Sequence, residues 1–191
     1  MSNLAKVIVL AEDEQHQRLI CQYLYRLPAH VAGGREFQQH DIRTLIAPGG
    51  RGSAEQWVRT KYPAEVKEYR RRSARQWLAL IVAIDADAGP VDQRHRQLRQ
   101  ALQDAGLEIR GNDEAIVHLI PKRNVETWIL CLNGEQVNEV IDYSRKEGVY
   151  KLIATSAATL FQWSRPNAAV PTHCVPSLEA AIPEMRRLEE G

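Results

Sequence analysis

Leu78 to Pro90, LALIVAIDADAGP, is the stretch that most narrows what this chain can fold into. An unbroken apolar run of this kind reads as a strand buried on both faces, the habit of a parallel sheet covered by helices. The run breaks into Asp85 and Asp87, followed at once by the turn pair Gly89-Pro90. Side chains two apart on a strand share a face. The two carboxylates are therefore expected to leave the C-terminal edge of the strand together, the edge where open α/β sheets bind ligands. Like charges so placed need a cation, a proton or water to compensate them, and a divalent metal is the simplest compensation. The plainer alternative is one Asp capping the next helix and the other in solvent; the strand alone leaves both open.

The rest of the chain supplies partners for that strand. Lys6 to Ala11, KVIVLA, is a β-branched apolar run that ends in Glu12, Asp13 and Glu14. Ile20, Tyr23, Leu24 and Leu27 then repeat at helical spacing up to Pro28. Asp13 and Glu14 read as acids suited to that helix's dipole. A polar loop around Gly33-Gly34 leads to a second strand, Ile42 to Ala47, and to PGGRGS, Pro48 to Ser53. Ser53 with Gln56 fits a capping box. The glycines, with Arg51 among them, suit phosphate contact at a helix N-terminus. No P-loop lysine is present, so a tight strand-to-helix turn is the stronger reading. The following helix is expected to bend at Pro63 and restart through Val66 and Tyr69, ending in Arg70-Arg71-Arg72. After the third strand, Val91 to Ala105 reads as a helix with Leu98, Leu102 and Ala105 inward, Arg94, Arg96 and Arg99 outward, and Gly106 as its stop. Ala115 to Ile120 is a fourth strand, with His118 as a satisfied core residue. Asn124 caps a helix through Val125, Trp128, Ile129 and Leu132, stopped by Gly134.

This βαβαβαβα order predicts an α/β fold, a mainly parallel four-stranded sheet flanked by helices, over residues 1–134. From Glu135 to Gly191 only helical patterning is visible, and it is expected to form a helical extension packed on the same domain. Its segments are Val137, Val140 and Ile141; then Leu152, Ile153, Leu160 and Phe161; then a last helix around Ala181 to Leu188, with Ser177 as candidate cap. The 191 residues suffice for one well-buried domain. No apolar run is long enough to cross a membrane, and the N-terminal stretch does not read as a signal peptide. The three cysteines are scattered and odd in number, so a reducing cytoplasm is the expected compartment. A net charge of +1 gives no global attraction to nucleic acid, which would have to be held by a local basic surface.

Glu12 after the first strand and Asp85 and Asp87 after the third can meet at the switch point of such a sheet. Three converging carboxylates suit Mg²⁺ or Mn²⁺, hard cations that take oxygen ligands. The arrangement resembles the TOPRIM domain, the metal-dependent core of topoisomerases, bacterial primases and OLD-type nucleases. Glu12 stands in VLAEDE and Asp85-Ala86-Asp87 in IVAIDADAG, with IPKRNVETWIL as a further likeness to compact bacterial relatives of the OLD nucleases. The resemblance covers about the first two-thirds of the chain. It departs where Asp13 stands for the usual Gly and where a common downstream acid is replaced, with His16 four residues after Glu12.

The resemblance implies that Asp85 and Asp87 hold metal and that Glu12 is a metal ligand or a general acid/base. It makes Glu126 a second-metal ligand or water-orienting residue, against its reading as a favourable first-turn acid. Lys122 and Arg123 become phosphate-neutralising cations, against their reading as an exposed loop pair. The implied activity is Mg²⁺- or Mn²⁺-dependent attack on nucleic-acid phosphodiesters, DNA before RNA, most plausibly by a nuclease. A separate ATPase partner and a role in antiviral defence follow by analogy only. Competing readings are a phosphoacceptor receiver domain with Asp85 as acceptor and Asp13 holding Mg²⁺, a non-catalytic scaffold of the same fold, and a D-x-D glycosyltransferase.

Overall fold

The alternation of β-branched apolar runs with amphipathic segments builds four parallel strands joined through helices. The structure is a computed structural model that describes residues 6–31, 36–49 and 53–190. Gly33-Gly34 and Arg51 lie outside the described residues. The elements run β1 (Lys6–Ala11), α1 (Glu14–Leu24), β2 (Ile42–Ile46), α2 (Ala54–Ser73), β3 (Leu78–Ala83), α3 (Val91–Asp104), β4 (Ile116–Leu119), α4 (Val125–Leu132), α5 (Ile153–Ser164) and α6 (Pro176–Glu190). The strand order is β2-β1-β3-β4 and every pairing is parallel. This is the α/β architecture expected from the sequence.

The fully apolar β3 occupies the interior beside β1, and all six of its residues are buried. Helices α2 and α3 pack together over the sheet, while α1, α4 and α5 form a second packed group. Helix α6 lies against β4. Tyr62, Val66 and Tyr69 on α2, Leu98 and Leu102 on α3, and Trp128 and Ile129 on α4 join the strands in one hydrophobic core. The register aligns Ala11 with Ile46 and Ala83, and Ala83 with Leu119, so the C-terminal ends of the strands meet at one edge. No helix among the described residues is long and apolar enough to cross a membrane.

Several local expectations change. Helix α2 runs unbroken through Pro63, held on either side by buried Tyr62, Val66 and Tyr69. Ala105 is exposed at the C-cap of α3, while Gly106 takes the left-handed conformation that ends the helix (φ 68°). Val137, Val140 and Ile141 do not form a helix. The Asn138 side chain accepts hydrogen bonds from the backbone N–H groups of Val140 and Ile141, a local turn that competes with helix, and both apolar side chains face solvent. The last helix starts earlier than expected, at Pro176, whose fixed φ and missing N–H suit the first helical position. Ser177 is thus inside the helix, where its hydroxyl accepts from the Trp128 indole N–H (2.7 Å) and the Lys122 backbone N–H (3.2 Å).

Candidate functional site

The chain leaves β1 at Ala11 still in register, and the Glu12 backbone N–H donates to the carbonyl of Ala83 (3.0 Å). Beyond β3 the main chain turns past the same edge. There the Asp85 backbone N–H donates to the Glu12 carboxylate at Oε2 (2.8 Å). The acids after the first and third strands are therefore in direct contact. Ala86 and Ala88 donate in turn to the carbonyls of Pro121 and Lys122 (both 2.8 Å), which lays the DADAG segment alongside the end of β4.

Asp85 and Asp87 do not leave one strand face together, as period-two spacing predicts. The strand ends at Ala83, and Asp87 and Ala88 adopt left-handed backbone conformations (φ 52° and 66°) that break the alternation. Asp85 turns inward and is buried; Asp87 turns outward, its side chain 60% exposed, and pairs with Arg94 (3.0 Å). Arg94 was expected to face solvent and is instead buried. Its guanidinium donates to the Asp85 carbonyl (2.9 Å), to Asp87, to Glu55 of α2 and to Gln97, tying the acidic turn to two helices. The signal for this was present: Arg94 stands four and eight residues before the core residues Leu98 and Leu102, on their own stripe.

Asp13 is the N-cap of α1, accepting from the backbone N–H groups of Gln15 and His16, as its dipole reading implies. It also meets the His16 ring at Nδ1 (2.9 Å), while His16 Nε2 meets Asp85 Oδ1 (3.0 Å). Burial pushes His16 towards the neutral form, but the charge of Asp85 and the hydrogen bond its ring donates to Asp13 outweigh it and hold the imidazole well above its ordinary pKa. The ring is thus an imidazolium bridging two carboxylates. Burial alone would raise Asp13; the hydrogen bond and charge of His16 bring it down to about 2. Asp85 is raised, chiefly by burial.

Glu126 is buried in the first turn of α4 behind the Asn124 cap, and its Oε1 accepts from the Gln15 side chain (2.7 Å). Burial, and then the charges of Asp13 and Asp85, raise its pKa, so Glu126 belongs to the same acidic edge. Gln15 and His16 are the functional-edge residues that sequence reasoning left without a role, although an N-cap Asp three residues before a His is itself a pairing signal. Lys122 is half-buried beside the acidic turn, with no ion-pair partner among the described residues. Arg123 pairs instead with Asp142 (3.4 Å).

Glu12 is the group most altered by this setting. Burial and the neighbouring charge of Asp85 push its carboxyl up to about 7, against a lowering hydrogen bond from the Asp85 backbone. A pKa raised on folding gives stability that is present below the unfolded value of 4.5 and is lost as pH rises through about 7. The wild-type protein in chelator is therefore expected to lose up to about 3 kcal/mol across that window from this group. Glu12→Gln is expected to flatten that part of the profile and to be the more stable protein above pH 7. Denaturant midpoints measured across the pH series check this, and parallel profiles for the two proteins would refute it.

The donor chemistry at this edge, carboxylate oxygens of Glu12, Asp85, Asp87 and Glu126, is that of a hard divalent cation. Among the described residues no three His, Cys, Asp or Glu side chains stand together as a ready metal-binding group. His16 and Arg94 compensate Asp85 and Asp87 instead. Compared with known protein families, curated proteins and solved structures, the chain matches none.

Proposed function

We propose that the protein is a Mg²⁺- or Mn²⁺-dependent enzyme that cleaves nucleic-acid phosphodiester bonds, with DNA as the favoured substrate. The observation that carries this reading is the contact of Glu12 with Asp85 at the C-terminal edge of a parallel sheet. It brings the half-buried Glu12 carboxylate beside buried Asp85, whose charge repels it, at the edge where such folds bind ligands, and a divalent cation would relieve that repulsion. Glu12, Asp85 and Asp87 are the residues that would hold the metal. The metal, when bound, supplies Lewis-acid polarisation of the phosphodiester and a more acidic water.

The chain's own residues do the rest. His16, braced by Asp13, fixes the orientation of Asp85. Without metal, burial and the charge of Asp85 hold the Glu12 carboxyl up at about 7, and with a cation bound it would take the carboxylate form that serves as ligand. Glu126, steadied by Gln15, adds a carboxyl at the same edge that can orient water. Lys122 offers an uncommitted cation beside the acidic turn for the phosphate; Arg123, turned to Asp142, takes a lesser part. A receiver-like phosphoacceptor reading stands second, because the sheet has four strands and the free edge of β4 is closed by α6.

The test is incubation of the full chain with single-stranded and plasmid DNA, and with RNA, in Mg²⁺ or Mn²⁺. Cleavage that chelator abolishes is expected. Cleavage that persists in chelator, or no cleavage of any of these substrates with either metal, would overturn the proposal.

A further inference from the structure

A second feature of the molecule lies away from the acidic edge. His118 projects from β4 towards α2, is 6% exposed, and its Nε2 lies 2.9 Å from the Tyr62 hydroxyl. Tyr62 is fully buried and its hydroxyl has no other acceptor among the described residues, so donation to Nε2 is the arrangement that leaves the fewest groups unmet. Burial pushes the His118 pKa well below its ordinary value, so the ring is neutral. With Nε2 accepting, the ring proton sits on Nδ1. That N–H is a buried donor with no hydrogen-bond partner among the described residues. An apolar residue would fill the position without the desolvation cost of an unmet donor, so the histidine calls for an occupant.

A space for one adjoins it. Tyr62, His95, Arg99, Arg110, Asn112 and His118 line a cavity of about 300 Å³, at the lower end of small-molecule sites. His95 packs against His118, their ring centroids 5.6 Å apart. Arg110 is committed to Glu184 and to the Ile116 carbonyl. Arg99 is exposed and has no ion-pair partner among the described residues, which leaves a surplus of positive charge and of hydrogen-bond donors facing the cavity. Leu102 and Ile109 give it an apolar wall.

We propose that this cavity binds a small organic oxyanion, a phosphomonoester or a carboxylate, through Arg99 and His95, with His118 in its wall. The donor set meets an oxyanion's several lone pairs, and the apolar wall meets its organic body. The proposal is independent of any chemistry at Glu12 and Asp85.

Three probes test it on the full chain by calorimetry in chelator: inorganic phosphate, a nucleoside monophosphate and a short aliphatic carboxylate. Saturable binding of at least one is expected, and which of them binds assigns the head group. Arg99→Gln, a surface change, is expected to weaken binding about tenfold or more, and His95→Phe to do the same. In the ¹⁵N-labelled wild type, the Nδ1 resonance of His118 is expected to shift with the same saturation curve. Absence of saturable binding by all three probes, or binding that both substitutions leave intact, would overturn the proposal.

Discussion

Asp85→Asn is expected to lower metal-dependent cleavage by about a hundredfold or more, the scale on which removal of an electrostatic partner at a reacting centre is felt. The substitution keeps the size of the side chain and an oxygen that can still face His16, so the turn has no steric reason to move. What changes is charge. Glu12 loses the nearest repelling carboxylate and its pKa falls from about 7 towards its ordinary value; His16 loses one of the two carboxylates that keep it protonated. The variant is therefore expected to be inactive yet folded, with a flatter stability profile through pH 7 than wild type in chelator. Asp87→Asn is the comparison, since Asp87 is mostly exposed and shares its charge with Arg94; its effect on cleavage is expected to be smaller. Single-turnover rates and thermal midpoints of both variants measure this. Wild-type rates in Asp85→Asn would remove Asp85 from the chemistry.

Trp128→Ala is expected to give the largest loss of stability, about 3–5 kcal/mol. Trp128 is among the largest fully buried side chains, and it sits where α4 meets the start of α6. Truncation empties that space and removes the indole N–H that the Ser177 hydroxyl accepts. Against a total stability of about 5–15 kcal/mol this is a large fraction, and it corresponds to a fall in melting temperature of roughly 6–20 °C for a chain of this size. Trp128→Phe keeps most of the apolar contact and loses the hydrogen bond, so about 1 kcal/mol is expected for the bond. A loss under 1 kcal/mol for the alanine variant, by denaturant midpoint, would contradict the packing described for α4.

How much of this was legible beforehand depended on whether a residue's neighbours are set by period or by loop geometry. The strands were visible because Val7 to Leu10 and Leu78 to Ala83 are apolar without interruption, and only a sheet covered by helices hides such runs on both faces. Asn124 and Ser53 were visible as caps because capping is local chemistry. Asp85 and Asp87 were placed at the correct edge but given the wrong relation, since left-handed backbone at Asp87 is not encoded by alternation. Val137 to Ile141 carried helical spacing, and Asn138 overrode it. The His16 bridge depends on Asp85, which is distant in sequence, and only tertiary structure brings the two together. Half of the environment of His118 was read correctly: it is buried in the core, yet one of its nitrogens has no partner.

The outer edge of β4 carries a consequence for how the chain behaves before α6 is in place. The backbone N–H of His118, which faces away from β3, donates to Glu184 of α6, the Ile116 carbonyl accepts from Arg110, and Arg187 of α6 donates to the carbonyls of Gly111, Asn112 and Glu114. Side chains of α6 thus occupy main-chain positions that another strand would otherwise take. Until α6 has docked, β4 stands as an open template for pairing with another copy. A chain cut short before Pro176 inherits that hazard permanently, and its characteristic failure is self-association through this edge.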